Sequence, residues 1–265
     1  MSAGRIVFPY LNIGPIGLPT GPLTFIVGVW LALYAVDRAA RRLQQDPELY
    51  YGLALMVLMT GFIGARLAFV LLHWSSYDDN LLGIIWPLTS GYQAAGGALI
   101  GITTAFFYGR WRGLALWPAL DALAPGLIVF LMTASLADFL GGAGYGSLTS
   151  LPWGIDLFGV RRHAVQIYEI LVGAAALAAW WGVSDPAGPE LAPVRRRIRA
   201  YKAGRPFLVS VAVYAAGRLF VDAYKETTPL TTGGVHLVQV AALIVVLLAL
   251  FQLARLSSAN PKSTI

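Results

Sequence analysis

Cysteine is absent from the 265 residues, and only 12 % of them are charged, about half the share usual in a soluble domain. The first absence excludes disulfides, thiolate catalysis by the chain, and Cys-ligated zinc or iron–sulfur centres. The second, with 57 % apolar residues and a mean hydropathy of +0.67, excludes a disordered chain and argues against an ordinary soluble domain. Histidine is scarce as well, limited to His73, His163 and His236. What remains is an all-α polytopic membrane protein, read as one membrane domain over residues 1–265. No cofactor or metal is expected.

A bilayer core of about 30 Å takes roughly 20 apolar residues in a helix. Seven runs qualify: Leu23–Val36, Leu53–Leu72, Ala94–Tyr108, Leu114–Leu136, Val165–Trp181, Phe207–Ala223 and Val235–Leu253. Leu81–Leu88 is apolar but too short, and Pro87 interrupts it, so it reads as re-entrant or interfacial. Asp121 and Pro125 predict that the fourth span is kinked and set against neighbours rather than lipid. Residues 1–21 lack the compact apolar core of a cleavable signal, so the first span is expected to be retained.

The net charge of +6 lies in loops, and its distribution gives a direction. Thirteen basic residues fall in one set of alternate loops, among them Arg38, Arg41, Arg42, Arg110, Arg112, Arg195–Arg197, Arg199 and Arg255. Four fall in the other set: Arg5, Arg161, Arg162 and Lys225. The positive-inside rule then puts the N-terminus outside and the C-terminus in the cytoplasm. No nucleic-acid-binding motif surrounds these charges, so nucleic acid is not an expected partner.

Charges inside a bilayer cost about 2.5–3.5 kcal/mol each on insertion scales and need a partner or a purpose. Arg66, Asp121, Glu169, Arg218 and Asp222 lie within the spans, and Asp138 and His163 at their edges. Arg66 precedes Trp74 by eight residues, roughly 12 Å of helix. With the direction above, every one of these except Asp121 falls toward the outer leaflet, which implies a polar cavity facing it. Arg218 and Asp222, at i and i+4, read equally as a self-neutralising pair. His163, Gln166 and Glu169 fall near one face of the fifth span and, with two intramembrane arginines, favour a site. Asp121 reads as a partner for backbone freed by Pro125 or for a neighbouring helix. Gly96–Gly97 and Gly141–Gly142 read as close helix packing, and Trp74 and Trp181 as interfacial anchors.

Several strings then resemble one family. Leu151-Pro152-Trp153, Phe158 and Arg162-His163-Ala164-Val165-Gln166-Ile167-Tyr168-Glu169 are similar to the loop and helix start of prolipoprotein diacylglyceryl transferases. Gly64-Ala65-Arg66-Leu67, Gly97-Ala98-Leu99-Ile100-Gly101, Asp121 with Ala124-Pro125, and Gly217-Arg218-Leu219-Phe220-Val221-Asp222 match family patterns in the same order, and Gln239 matches a Gln opening the last span. The family signature Gly-Arg-x-[Gly/Ala]-Asn-Phe-[aliphatic]-Asn-x-Glu-x-x-Gly falls on Ala134–Gly146. There Ala137, Phe139, Leu140 and Gly146 fit, while Ser135 replaces the Arg, Asp138 and Gly141 the two Asn, and Ala143 the Glu. The family's span-three His falls on Gly96, and its first-span Arg-Trp-Tyr-Gly is absent around Thr20–Thr24.

The resemblance implies a transferase in the plasma membrane of a bacterium. It would move a diacylglyceryl group from phosphatidylglycerol to the lipobox cysteine of a prolipoprotein at the outer leaflet. It implies Arg218, His163 and Glu169 as catalytic residues. Arg66, Arg218, Arg162, Gln166, Tyr168 and Asp138 would line the head-group site. The alternative is a non-catalytic paralogue that binds phospholipid or lipoprotein in the same cavity. An unrelated transporter predicts an inverted repeat and midplane substrate groups, and neither is evident.

Overall fold

Apolar periodicity without charge produces helices here, and the described residues of the computed structural model form seven long ones. It describes residues 9–77, 82–85, 91–157, 159–184, 201–226 and 236–258. The helices are α1 (Thr20–Arg42), α2 (Pro47–Leu72), a four-residue turn α3 (Leu82–Ile85), α4 (Ala94–Trp111), α5 (Leu116–Gly141), α6 (Val165–Val183), α7 (Arg205–Val221) and α8 (Leu237–Ser258). Six are long and apolar enough to cross a membrane; α4, at 18 residues, is the seventh expected span and falls short of that apolarity. Only the helical core of Leu81–Leu88 is described. Phe158, Val235, Lys262, Arg5 and the basic residues 195–199 lie outside the described residues.

Two short antiparallel hairpins were not legible in the sequence: β1 (Tyr10–Ile13) with β2 (Ile16–Pro19), and β3 (Ile155–Leu157) with β4 (Val160–Arg162). The first leads into α1 and the second into α6.

α1 packs on α5, α2 on α4, and α6 and α8 on α7. The α2–α4 contact explains Gly96–Gly97. A Cβ on Gly96 would fall 2.2 Å from the Ala68 Cβ, and one on Gly97 2.8 Å from the Gly61 carbonyl oxygen. These small residues let the two backbones meet, as expected. Gly141–Gly142 does something else. Gly142 takes φ 72° and ends α5, with the Ala143 N–H donating back to the Asp138 carbonyl at 2.8 Å, a left-handed helix stop rather than a packing seam.

α5 runs unbroken through Pro125, and its residues there are buried. Asp121 resolves to the second of its two readings. Its carboxylate accepts from the Gly204 N–H (2.6 Å), the Phe207 N–H (2.8 Å) and the Tyr201 hydroxyl (2.9 Å), and so caps α7. Gly204 has no side chain to cap that helix itself, and an anion at a helix N-terminus is favourable. Asp121 and the start of α7 therefore occupy one end of the bundle. The end of α5, the start of α6 and the end of α7 occupy the other. Trp74 and Trp181 are half exposed, and the Arg42 guanidinium sits 4.0 Å over the Trp181 ring.

Candidate functional site

The far end of α5–α7 gathers the charges. On α6, one turn in, Glu169 is 2 % exposed. Its Oε1 accepts from Arg218 Nη1 at 2.5 Å and from Lys225 Nζ at 2.8 Å, while its Oε2 accepts from the Ser135 hydroxyl at 2.7 Å. Arg218 also grips Asp222, which is fully buried, through Nε at 3.2 Å and Nη2 at 2.6 Å. The i, i+4 reading of Arg218 and Asp222 thus holds, but the guanidinium bridges on to α6 as well. The Tyr214 hydroxyl lies against the same guanidinium. A buried carboxylate needs a cation and further donors to offset its desolvation, and Glu169 has both.

Lys225 follows α7 after a 3-10 turn, Asp222–Tyr224. Its backbone is fixed by a bridge to Gly146, with the Ser147 N–H donating to the Tyr224 carbonyl at 2.7 Å and the Glu226 N–H to the Tyr145 carbonyl at 3.3 Å. Asp138, the last polar residue of α5, has Lys225 and Glu169 as its charged neighbours. Among the described residues it forms no ion pair with Arg66, Arg162 or Arg218.

Arg162 and Gln166 hold the loop that follows α5. Arg162 Nη1 donates to the Gly146 carbonyl at 3.1 Å and pairs with Glu226, and its guanidinium lies 4.6 Å over the Tyr145 ring. Gln166, 1 % exposed, donates through Nε2 to the Ala143 carbonyl at 2.6 Å. That bond fixes the amide's orientation and leaves its Oε1 buried without a partner. His163 is buried, with Nδ1 3.4 Å from the Tyr168 hydroxyl and its ring 4.7 Å from that of Tyr224. Trp153 Nε1 donates to the same Tyr168 hydroxyl at 3.0 Å.

Arg66 stands apart. On α2 it donates to the Ile84 and Gly91 carbonyls at 3.0 Å each and to the Gly83 carbonyl, with Tyr77 and Tyr92 flanking it. Burial pushes the Tyr92 phenol up from its ordinary pKa, against the opposing pull of Arg66. At the start of α8, Gln239 donates to the Leu219 carbonyl at 2.9 Å and ties that helix to α7 beside Arg218.

The structure thus joins Glu169 and Arg218 directly, with Asp138 in their field. It groups Arg162, His163, Gln166 and Tyr168 on the adjoining rim, and separates Arg66. Two members were missed by sequence reasoning. Lys225 was read as a loop charge, although its spacing of seven from Arg218 would put it two turns along the same face. Ser135 carried no signal of its own beyond the motif position it occupies. Within the cluster, Arg218 and Lys225 both pair with Glu169. Cavities of about 360 Å³ (lined by Thr103, Thr104, Phe107, Tyr108 and Trp111) and 160 Å³ (Trp30, Leu33, Tyr34, Asp37 and Tyr51) lie elsewhere. Among the described residues no three of His, Asp and Glu group closely enough to hold a metal ion.

Chemically, the cluster offers two cations, a guanidinium and an ammonium, on one carboxylate, and the buried His163 imidazole packs on Tyr224, the residue before Lys225. That set suits an anionic phosphate and a proton transfer. Comparison with known proteins gives the same direction. The family model of prolipoprotein diacylglyceryl transferase matches residues 10–255. A phosphatidylglycerol–prolipoprotein diacylglyceryl transferase of Thermosynechococcus vestitus is 26 % identical, over 93 % of this chain and 91 % of its own length. One of Trichormus variabilis is 28 % identical over 94 % and 92 %, and one of Clostridioides difficile 25 % over 89 % and 88 %. The chain belongs to the prolipoprotein diacylglyceryl transferase family.

Proposed function

We propose that this protein transfers the diacylglyceryl group of phosphatidylglycerol to the lipobox cysteine of a prolipoprotein, in the plasma membrane of a bacterium. The observation that carries the reading is the convergence of Arg218 and Lys225 on Glu169 at one end of a membrane bundle. The excess of basic residues in the opposite loops supports an outer-leaflet place for that end, where phosphatidylglycerol and translocated lipobox segments meet.

The reaction forms a bond from the cysteine sulfur to the terminal carbon of the diacylglycerol and breaks the bond from that carbon to the phosphate oxygen. Glycerol phosphate leaves with the electron pair. Charge therefore develops on the departing phosphate, and a cation fixed beside it lowers the barrier. Arg218 is suited to this because it stays ionised and presents planar donors. Asp222 orients it from one side, leaving Nη1 to turn from Glu169 to the phosphate. His163 takes the thiol proton, since a thiolate is the better nucleophile. The His163 ring stands against Tyr224, directly before Lys225 in the chain.

Gln166, Tyr168 and Asp138 belong to the head-group wall in this reading, with Gln166 Oε1 buried and unpartnered behind it. Arg162 and Arg66 are committed to backbone carbonyls. Arg162 thus shapes the rim and Arg66 holds the segment around α3, and neither grips the phosphate. Ser135, in place of the signature Arg, keeps Glu169 fixed through its second oxygen.

The test is a transfer assay with purified protein, phosphatidylglycerol vesicles and a synthetic lipobox peptide. The expected result is a peptide heavier by one diacylglyceryl group, none with a Cys-to-Ser peptide, and none from Arg218→Ala. Specific lipid binding without any lipidated peptide would instead identify a binding paralogue.

A further inference from the structure

Glu169 Oε1 is shared by two cations at hydrogen-bond distance, Arg218 Nη1 at 2.5 Å and Lys225 Nζ at 2.8 Å. Like charges so close repel one another, and a single oxygen holding both is a weak compromise. Arg218 has a second anchor, the two-bond grip on Asp222. Among the described residues Lys225 has no other ion-pair partner. Its backbone, in contrast, is fixed to the Tyr145–Ser147 strand segment. Its flexible four-carbon stem therefore swings an ammonium from a fixed base, with 16 % of the side chain still exposed.

We propose that Lys225 is a second phosphate-binding cation and that Glu169 is its resident counter-ion, exchanged for the phosphate of an anionic glycerophospholipid when that lipid binds. This inference rests on the transferase reading only for the identity of the lipid. In the lipid-free state Glu169 and Asp222 together balance the two cations, and Ser135 holds the second Glu169 oxygen. A phosphate diester spreads one negative charge over two free oxygens, so Lys225 and Arg218 Nη1 can each have their own acceptor in place of the shared Oε1. The carboxylate stays on the Ser135 hydroxyl, with both cations still close enough to offset its burial. Glu169 thus competes with the lipid for the cations, and removing its charge should strengthen binding.

The sign of that effect separates the proposal from a purely structural ion pair. Binding is measured on the purified full chain with phosphatidylglycerol in nanodiscs, and with soluble glycerol phosphate as a competitor. Lys225→Met is expected to weaken phosphatidylglycerol binding on the order of tenfold, the loss of one charged hydrogen bond. Lys225→Arg should keep most of the affinity. Glu169→Gln should bind more tightly than wild type, and the double variant Glu169→Gln/Lys225→Met less tightly than Glu169→Gln. That pair controls for folding, because it removes the cation without stranding a buried carboxylate. Glycerol phosphate should compete against wild type and lose potency against Lys225→Met if the phosphate itself is the contact.

Equal affinity of Lys225→Met and wild type overturns the proposal. So does weaker binding by a folded Glu169→Gln, or a Lys225→Arg as impaired as Lys225→Met. Transfer by the same preparations is scored separately. Wild type that binds as expected but forms no lipidated peptide defeats the transferase reading and leaves the cation exchange standing. Transfer with binding indifferent to residue 225 does the reverse.

Discussion

Trp180 donates its indole N–H to the backbone carbonyl oxygen of Asp121 across 2.9 Å. That carbonyl lies four residues before Pro125, so its helical partner would be the N–H that proline lacks. A buried tryptophan from α6 thus supplies the donor missing from α5, while the Asp121 side chain is free to cap α7. Three helices meet at one residue, and the register of α7, which carries Arg218 at its other end, is set there.

Trp180→Phe should therefore destabilise the protein by about 1–3 kcal/mol, the cost of stranding a buried acceptor. Adding Pro125→Ala restores a helical N–H to Asp121, so the Trp180→Phe penalty should shrink in that background. Thermal unfolding of the four proteins in one detergent gives the coupling directly. Additive effects would show that the indole bond is incidental.

At Gly96 the fold leaves no room for the imidazole found in the family pattern. Gly96→His should lower stability and yield without adding activity, because even a methyl group meets Ala68. Gly96→Ala is expected to cost about 1–3 kcal/mol by overpacking, and Ala68→Gly in the same chain should recover much of it. The check is the melting temperature of the single and paired variants. Full stability of Gly96→His would mean that α2 and α4 separate easily.

Tyr201 sits outside the spans, where burial and the nearby Asp121 carboxylate hold its phenol above the ordinary tyrosine pKa. The folded state therefore binds that proton more tightly than the unfolded chain. Stability from this source is complete below about pH 10, the ordinary value, and falls as pH rises above it. Tyr201→Phe should flatten the alkaline decline in unfolding temperature. An unchanged decline would place the cause in another group.

The spans were legible because burial in lipid imposes an apolar run of fixed length, and that constraint is local in sequence. The same locality made Arg218 with Asp222 readable, since both lie on one helix face. Contacts between helices have no such signature. Whether Ser135 or its neighbours face Glu169 depends on how α5 and α6 are rotated against each other. Lys225 was counted among loop charges because its role depends on a backbone bridge to Gly146, 79 residues earlier. Trp180 and Trp181 are indistinguishable in the sequence, yet one is buried on Asp121 and the other stands out beneath Arg42. The partners of Arg66 were equally hidden, since the three carbonyls it binds come from α3 and Gly91.

The most direct test of the transferase account counts both products of one reaction. Purified protein, phosphatidylglycerol vesicles and a lipobox peptide are incubated, and lipidated peptide and glycerol phosphate are quantified over time. The account predicts equal molar amounts of the two from wild type and neither from Arg218→Ala. Glycerol phosphate released without lipidated peptide, or lipidated peptide formed undiminished by Arg218→Ala, would contradict it.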